Sequence, residues 1–236
     1  MKRSRINTIM AEADEMIRRF GFTLPPFAYW SPQDMRERAP GTRIAEARMG
    51  WDITDYGVGD FDSTGLFLFT LRNGDQSHLT RGTGMCYAEK LLISRQDQIA
   101  PMHTHHVKAE DIINRGGATL VVELFGSDED GGFDGNAGVT VVCDGIARTV
   151  PAGHRLKLQP GESVTLMPGH WHAFWGEGGD VLIGEVSTVN DDVTDNIYRE
   201  PIGRFSTIQE DEAPTHLLVS DYDTWLDNHG PASASV

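Results

Sequence analysis

Apolar residues recur at three- and four-residue steps through the opening segment. Ile6, Met10, Ala13, Ile17 and Phe20 fall on one face of a helix, and Gly21 marks its stop. Such a stripe predicts a packing face. A second, short helix is predicted at Pro32, with Ser31 as N-cap and Gln33-Asp34-Met35-Arg36 as its first turn. From about residue 62 the pattern changes to brief apolar runs divided by Gly, Asp and Asn. Gly65 to Leu71 leads to the turn dipeptide Asn73-Gly74; Tyr87 to Ser94, Ala118 to Phe125, Val139 to Val142, His154 to Leu158, Ser163 to Met167 and Val181 to Ser187 follow. These runs are too short for helices and too regularly punctuated for disorder, so they predict strands. The expected class is all-β with an N-terminal helical extension. Residues 1–60 are read as helix and loop, 61–190 as the β barrel, and 191–236 as a C-terminal extension ending in a flexible tail from His229.

At 236 residues the chain is long enough for one large β domain with such decorations, and a single domain is expected. Thirty-five acidic residues against twenty basic ones give a net charge of −15, which argues against nucleic acid or an anionic membrane as partner. A neutral or cationic small ligand fits that balance better. The two cysteines, Cys86 and Cys143, outline no disulfide framework and read as small hydrophobes in a reducing compartment. After Met1-Lys2-Arg3-Ser4-Arg5, the acids Glu12, Asp14 and Glu15 interrupt what a signal peptide would keep apolar, and no run reaches membrane-spanning length. A soluble, cytoplasmic protein is expected. The acidic loop from Gly126 to Gly138 lacks the spacing of a calcium-binding EF-hand.

The chemistry concentrates in two segments: His103-Thr104-His105 followed by Glu110, and Gly169-His170-Trp171-His172 further on. On a strand, His103 and His105 share a face, and Glu110 can return on the next strand after a tight turn, so imidazoles and a carboxylate can converge on one divalent ion. His106 would face away. The order His103, His105, Glu110, Gly117 resembles the first cupin motif, and Gly161…Pro168-Gly169…His172 resembles the second, with Pro168 one place later than the usual pattern. That resemblance implies a cupin jelly-roll barrel and selects His172 as the downstream ligand, leaving His170 behind it or facing substrate. Lys108 lies two places before Glu110 and enters the same cavity if both share an extended segment; otherwise it is a solvated hairpin lysine. Lys90, inside an apolar run, faces either inward or outward by strand alternation. Trp171 and Trp175 beside the motif read as core rather than as sugar platforms.

The fold alone names no reaction, since cupins host isomerases, oxygenases, decarboxylases and binders. Cys86-Tyr87-Ala88-Glu89-Lys90, the run Met102 to Gly117, Pro168-Gly169-His170-Trp171-His172 and Pro201-Ile202-Gly203-Arg204-Phe205 together resemble the D-lyxose isomerases across most of the chain. The resemblance implies a manganese-dependent interconversion of D-lyxose with D-xylulose, and of D-mannose with D-fructose, on a homodimeric scaffold. Cobalt, iron or zinc would suit the same donors. Carried over by position, the metal ligands are His103, His105, Glu110 and His172, and Lys90 and Lys108 line the sugar site. Isomerisation through an enediol needs a proton shuttle. Lys108 is a candidate stabiliser or acid, and Glu185 a candidate base on the face of Ile183 and Ser187, or else a structural carboxylate. Glu200 and Arg204 either hold sugar hydroxyls at the mouth or pin the extension by a salt bridge. A mononuclear-iron dioxygenase and a non-catalytic sugar-binding cupin are the competing readings. Charged residues beside the metal motif favour a polyhydroxylated substrate over an apolar one.

Overall fold

The computed structural model describes residues 1–226; the tail expected from His229 lies outside them. Helix α1 (Arg3–Arg19) buries Ile6, Ile9, Met10, Ala13, Met16 and Ile17, the predicted stripe widened by one further row. Gly21 takes φ +77°, a left-handed stop that glycine adopts without strain. Helix α2 (Pro32–Arg38) opens with a reciprocal cap: the Asp34 backbone N–H donates to Ser31 Oγ at 3.1 Å, and the Ser31 N–H donates to the Asp34 carboxylate at 3.2 Å.

Among the described residues twelve strands follow: β1 (Gly50–Thr54), β2 (Leu66–Asn73), β3 (Tyr87–Ser94), β4 (Ala100–His105), β5 (Glu110–Ser127) and β6 (Phe133–Asp134). The remainder are β7 (Val139–Cys143), β8 (Ile146–Val150), β9 (His154–Leu158), β10 (Ser163–Leu166), β11 (Trp171–Thr188) and β12 (Asn196–Tyr198). Every named pairing is antiparallel. The long strands β5 and β11 pair along most of their length and carry the chain from one sheet to the other. At one end they lie in the order β1-β2-β3-β11-β5-β10-β7-β8; at the other, in the order β12-β4-β11-β5-β9. The turnover falls at an irregularity between Glu177 and Val181 opposite Gly117. Gly117 has φ +103°, and a Cβ there would stand 2.2 Å from the Asp180 carbonyl oxygen, so this position of the motif tolerates only glycine.

Two strands fall outside the expected barrel limits. β1 comes from the stretch read as helix and loop, and β12 from the C-terminal extension. All five residues of β1 are buried, so it carries no alternation to detect.

The cores explain the strand patterns. Leu66, Leu68, Leu92, Ile112, Phe174 and Ile183 face the barrel interior. Phe67, Phe69, Leu91, Ile93, Trp51 and Leu182 face outward and are covered by α1. With both faces buried, β2 and β3 read as continuous apolar runs. Each fully buried Leu, Ile or Phe contributes about 1.5–3 kcal/mol relative to exposure. No described helix is long and apolar enough to cross a membrane.

Arg3 fastens α1 to the far end of the chain. Its guanidinium donates to both oxygens of Asp221 at 2.9 and 2.8 Å and to Glu210 at 2.6 Å, and Asp221 also accepts from the Leu218 N–H. Arg3 is fully buried. Replacing it with Ala strands the Asp221 carboxylate, and we expect a loss of about 3–5 kcal/mol in equilibrium urea unfolding; a loss below about 1 kcal/mol would show that the clamp is a solvated surface pair.

Candidate metal centre

The two sheets bring complementary groups to one interior point. β4 supplies His103 and His105, and β11 places His172 opposite His103. The other sheet supplies Glu110 at the start of β5, Glu185 on β11 and Lys90 opposite it on β3. Ligand atoms of His103, His105, Glu110 and His172 all lie within 4.8 Å of one another. β4 and β5 are not hydrogen-bonded partners; both pair with β11, so Glu110 meets the histidines across the barrel rather than across the hairpin expected from spacing.

The hydrogen bonds fix two of the imidazoles. His103 Nδ1 donates to the Pro101 carbonyl at 2.8 Å and His172 Nδ1 to the His170 carbonyl at 3.0 Å, because a carbonyl only accepts. Each therefore keeps a lone pair on Nε2. His172 Nε2 stands 3.2 Å from Glu110 Oε1, a buried contact between two acceptors that a cation would relieve. His105 Nε2 is also 3.2 Å from Glu110 Oε1, and His105 Nδ1 lies 4.0 Å from Asp195. Burial, then the imidazoles of His172 and His105, hold His103 well below the usual histidine range; burial and the Lys108 ammonium lower His105 as well. Burial by itself would raise the Glu110 carboxyl, but Lys108 and His105 keep it well below the ordinary value. Neutral imidazoles beside an ionised carboxylate form a donor set that fits a divalent first-row metal.

A chain of alternating charges leads away from Glu110. Lys108 Nζ is 2.7 Å from Glu110 and 3.0 Å from Glu185. Lys90 Nζ is 3.6 Å from Glu185, 3.5 Å from Asp192 and 2.6 Å from Asn190 Oδ1. Arg204 Nη2 is 3.2 Å from Asp192 and 2.6 Å from Asp52. Burial works against the charge on Lys108, yet Glu110 and Glu185 raise it above the usual lysine value, so the ammonium stays protonated. Asp192 is held well down: burial opposes its charge, and Arg204 and Lys90 overcome it.

The structure gathers most of the expected site residues and leaves out two. Lys90, Lys108, Glu185 and Arg204 line the cavity with the four candidate ligands. Lys108 gets there from a loop, not from a strand. Asp195 accepts from the Val107 and Lys108 N–H groups at 2.7 and 3.0 Å and folds the loop inward. His170 is outside the lining; its ring accepts the Met167 N–H, and only its carbonyl serves the site, through His172. Glu200 is also outside, an exposed partner of Arg199 at 3.5 Å, because the chain turns Arg204 inward and Glu200 to solvent. His106 is exposed. Trp171 is buried against Phe133, and Trp175 lies under Arg155, so neither is a sugar platform. The sequence reading missed Asp52, Tyr56, Asp192, Asp195, Asn196 and Tyr198. Asp52 did carry a signal, a lone charge between Trp51 and Ile53; the acids of 190–196 sit in a polar run with none.

A family model described as D-lyxose isomerase matches residues 1–222. A D-lyxose/D-mannose isomerase of Serratia proteamaculans is 47% identical over 226 residues, covering 94% of this chain and 98% of that protein. Its counterpart in Escherichia coli O157:H7 is 43% identical over the same length and shares of the two chains. The L-ribose isomerase of Cellulomonas parahominis, solved with L-ribose, superposes with a TM-score of 0.60 at 13% identity over 89% of this chain and 98% of that one, a likeness of fold.

Replacing His103, His105 or His172 with Ala should remove most bound divalent metal in elemental analysis, whereas His106→Ala and His170→Ala should leave occupancy within about twofold, since neither ring faces the ligand cluster. Loss of metal in His106→Ala with retention in His105→Ala would refute this ligand set.

Proposed function

Since the chain belongs to the D-lyxose isomerase family, we propose that it interconverts D-lyxose and D-xylulose, and D-mannose and D-fructose, as a manganese-dependent homodimer. It is a sugar isomerase; the substrate, the metal and the roles of individual residues are the content of the proposal. The observation that carries it is the joining of the His103–His105–Glu110–His172 cluster to a Lys108–Glu185 ion pair in one buried cavity. A dioxygenase acting on an apolar substrate has no use for the charged wall of Lys90, Asp192 and Arg204.

When bound, the divalent ion supplies Lewis-acid polarisation of the carbonyl and adjacent hydroxyl oxygens. Glu185 is assigned the base: its carboxylate takes the C2 proton of the open-chain aldose and returns it to C1. Lys108 donates hydrogen bonds to the oxygen on which charge develops, because its contacts with Glu110 and Glu185 keep it cationic. The net change moves one proton from C2 to C1 and one from O2 to O1. Lys90 and Arg204, with Tyr56, Tyr198 and Asn196, offer donors and acceptors to the remaining hydroxyls.

The test is ketose formation from a panel of pentoses and hexoses after chelation and metal return. D-Lyxose and D-mannose should turn over, chelation should abolish turnover, and manganese should restore it best; full turnover by metal-free protein would refute the reading. Lys108→Met should keep its metal and lose roughly a hundredfold or more in kcat. Native turnover in that variant would move the catalytic assignment elsewhere.

A further inference from the structure

Two atoms of one buried ion pair lack hydrogen-bond partners among the described residues: Arg204 Nη1 and Asp52 Oδ1. Their sister atoms, Nη2 and Oδ2, meet at 2.6 Å, so the pair is joined through one arm of each group and open on the other. Both side chains are buried, with 11% and 4% of their surfaces exposed. A buried donor and a buried acceptor left unmade cost about 1–3 kcal/mol each, and native proteins seldom leave such groups without a use. A single hydroxyl group satisfies both, because its oxygen accepts from the guanidinium and its hydrogen is donated to the carboxylate.

The location tells which hydroxyl. Arg204 lines the cavity, and Asp52 stands beside it on β1, opposite the cavity-lining Leu68. The pair closes the end of the charge chain remote from Glu110, beyond Asp192, Lys90, Glu185 and Lys108. Tyr198 lines the same cavity as Arg204 and the metal cluster, its ring 5.8 Å from that of His103 and 5.7 Å from that of Tyr56. The Arg204 backbone is anchored independently of any ligand: its carbonyl accepts from Thr54 Oγ1 at 2.7 Å, and the Gly203 N–H donates to the Tyr56 carbonyl at 3.0 Å. The open arms are thus held in place before a sugar arrives.

We propose that Arg204 and Asp52 form the receptor for the terminal hydroxyl of the open-chain sugar, so that the chain lies with C1 and C2 at the histidine cluster and its far end on this pair. The assignment rests on the isomerase reading for the identity of the ligand, and it adds Asp52 as a residue that grips substrate. Discrimination then comes from unmade hydrogen bonds: a polyol lacking the terminal hydroxyl leaves both buried atoms unpaired.

Alditols test this without ring closure or turnover. D-Lyxitol and 5-deoxy-D-lyxitol are titrated calorimetrically into manganese-loaded native protein, Asp52→Asn and Arg204→Lys, with thermal unfolding recorded for each. Native protein should bind D-lyxitol roughly 10- to 100-fold more tightly than its deoxy analogue, the range expected for hydrogen bonds to charged groups. Each variant should shrink that ratio to about threefold or less. Equal binding of the two alditols by native protein, absence of D-lyxitol binding, or a native ratio in either folded variant would overturn the proposal. Should one variant fail to fold, the native comparison and the other variant decide. Ketose formation is assayed on the same native preparation, so a failed isomerase reading is seen separately from a failed receptor.

Discussion

The interior of this protein is organised around buried ions that alternate in sign. Taking a carboxylate or an ammonium out of water costs several kcal/mol, and attraction offsets this only where each ion meets its opposite at close range. Here Arg204 lies between Asp52 and Asp192, Lys90 between Asp192 and Glu185, and Lys108 between Glu185 and Glu110. Removing a middle member strands two neighbours. The members come from β1, β3, β5, β11, the loop before β5 and the segment after β11, so closing the barrel and assembling the site are one event. The result is a set of fixed charges in place before any substrate binds, which is how a protein stabilises charge without reorganising at the moment of reaction.

Helix α1 acts on this site from the opposite side of the sheet. It covers Leu91 and Ile93, which obliges β3 to present its alternate residues, Lys90 and Leu92, to the interior. A lysine on an uncovered sheet would take the solvent face. Likewise Asp52 faces inward because Trp51 and Ile53 on either side of it pack with the helix. The N-terminal extension thus decides which charges reach the cavity.

The scaffold and its chemistry separate cleanly. An L-ribose isomerase shares the fold at 13% identity, a likeness of scaffold that by itself assigns no substrate. What is particular to this chain lies in the walls: the order of charges on the interior rows, and the segment 190–204 that lies over them.

Much was legible from local pattern. Helix α1, the cap of α2, strands β3 and β9 to the residue, and the His103–His105–Glu110 spacing all rest on periodicity or on neighbours within a turn, and these are properties that a few consecutive residues possess alone. The choice of His172 as the downstream member of the cluster, and of an inward over an outward reading for Lys90 and Lys108, came only through resemblance to a family. What tertiary structure decided was every relation between distant segments. Spacing suggested that Glu110 returns beside its own histidines on a hairpin, whereas both strands pair with β11 and the carboxylate arrives from across the barrel. Lys108 reaches the cavity because Asp195, far along the chain, takes its backbone N–H, and His170 and Glu200 stay out because local turns direct them elsewhere. Asp192 and Tyr198 sit in a polar run with no period, and their burial exists only once that run folds over the open end of the barrel. Periodicity reports which face of an element is apolar; which elements those faces meet is settled by packing, and the charge chain is built at those meetings.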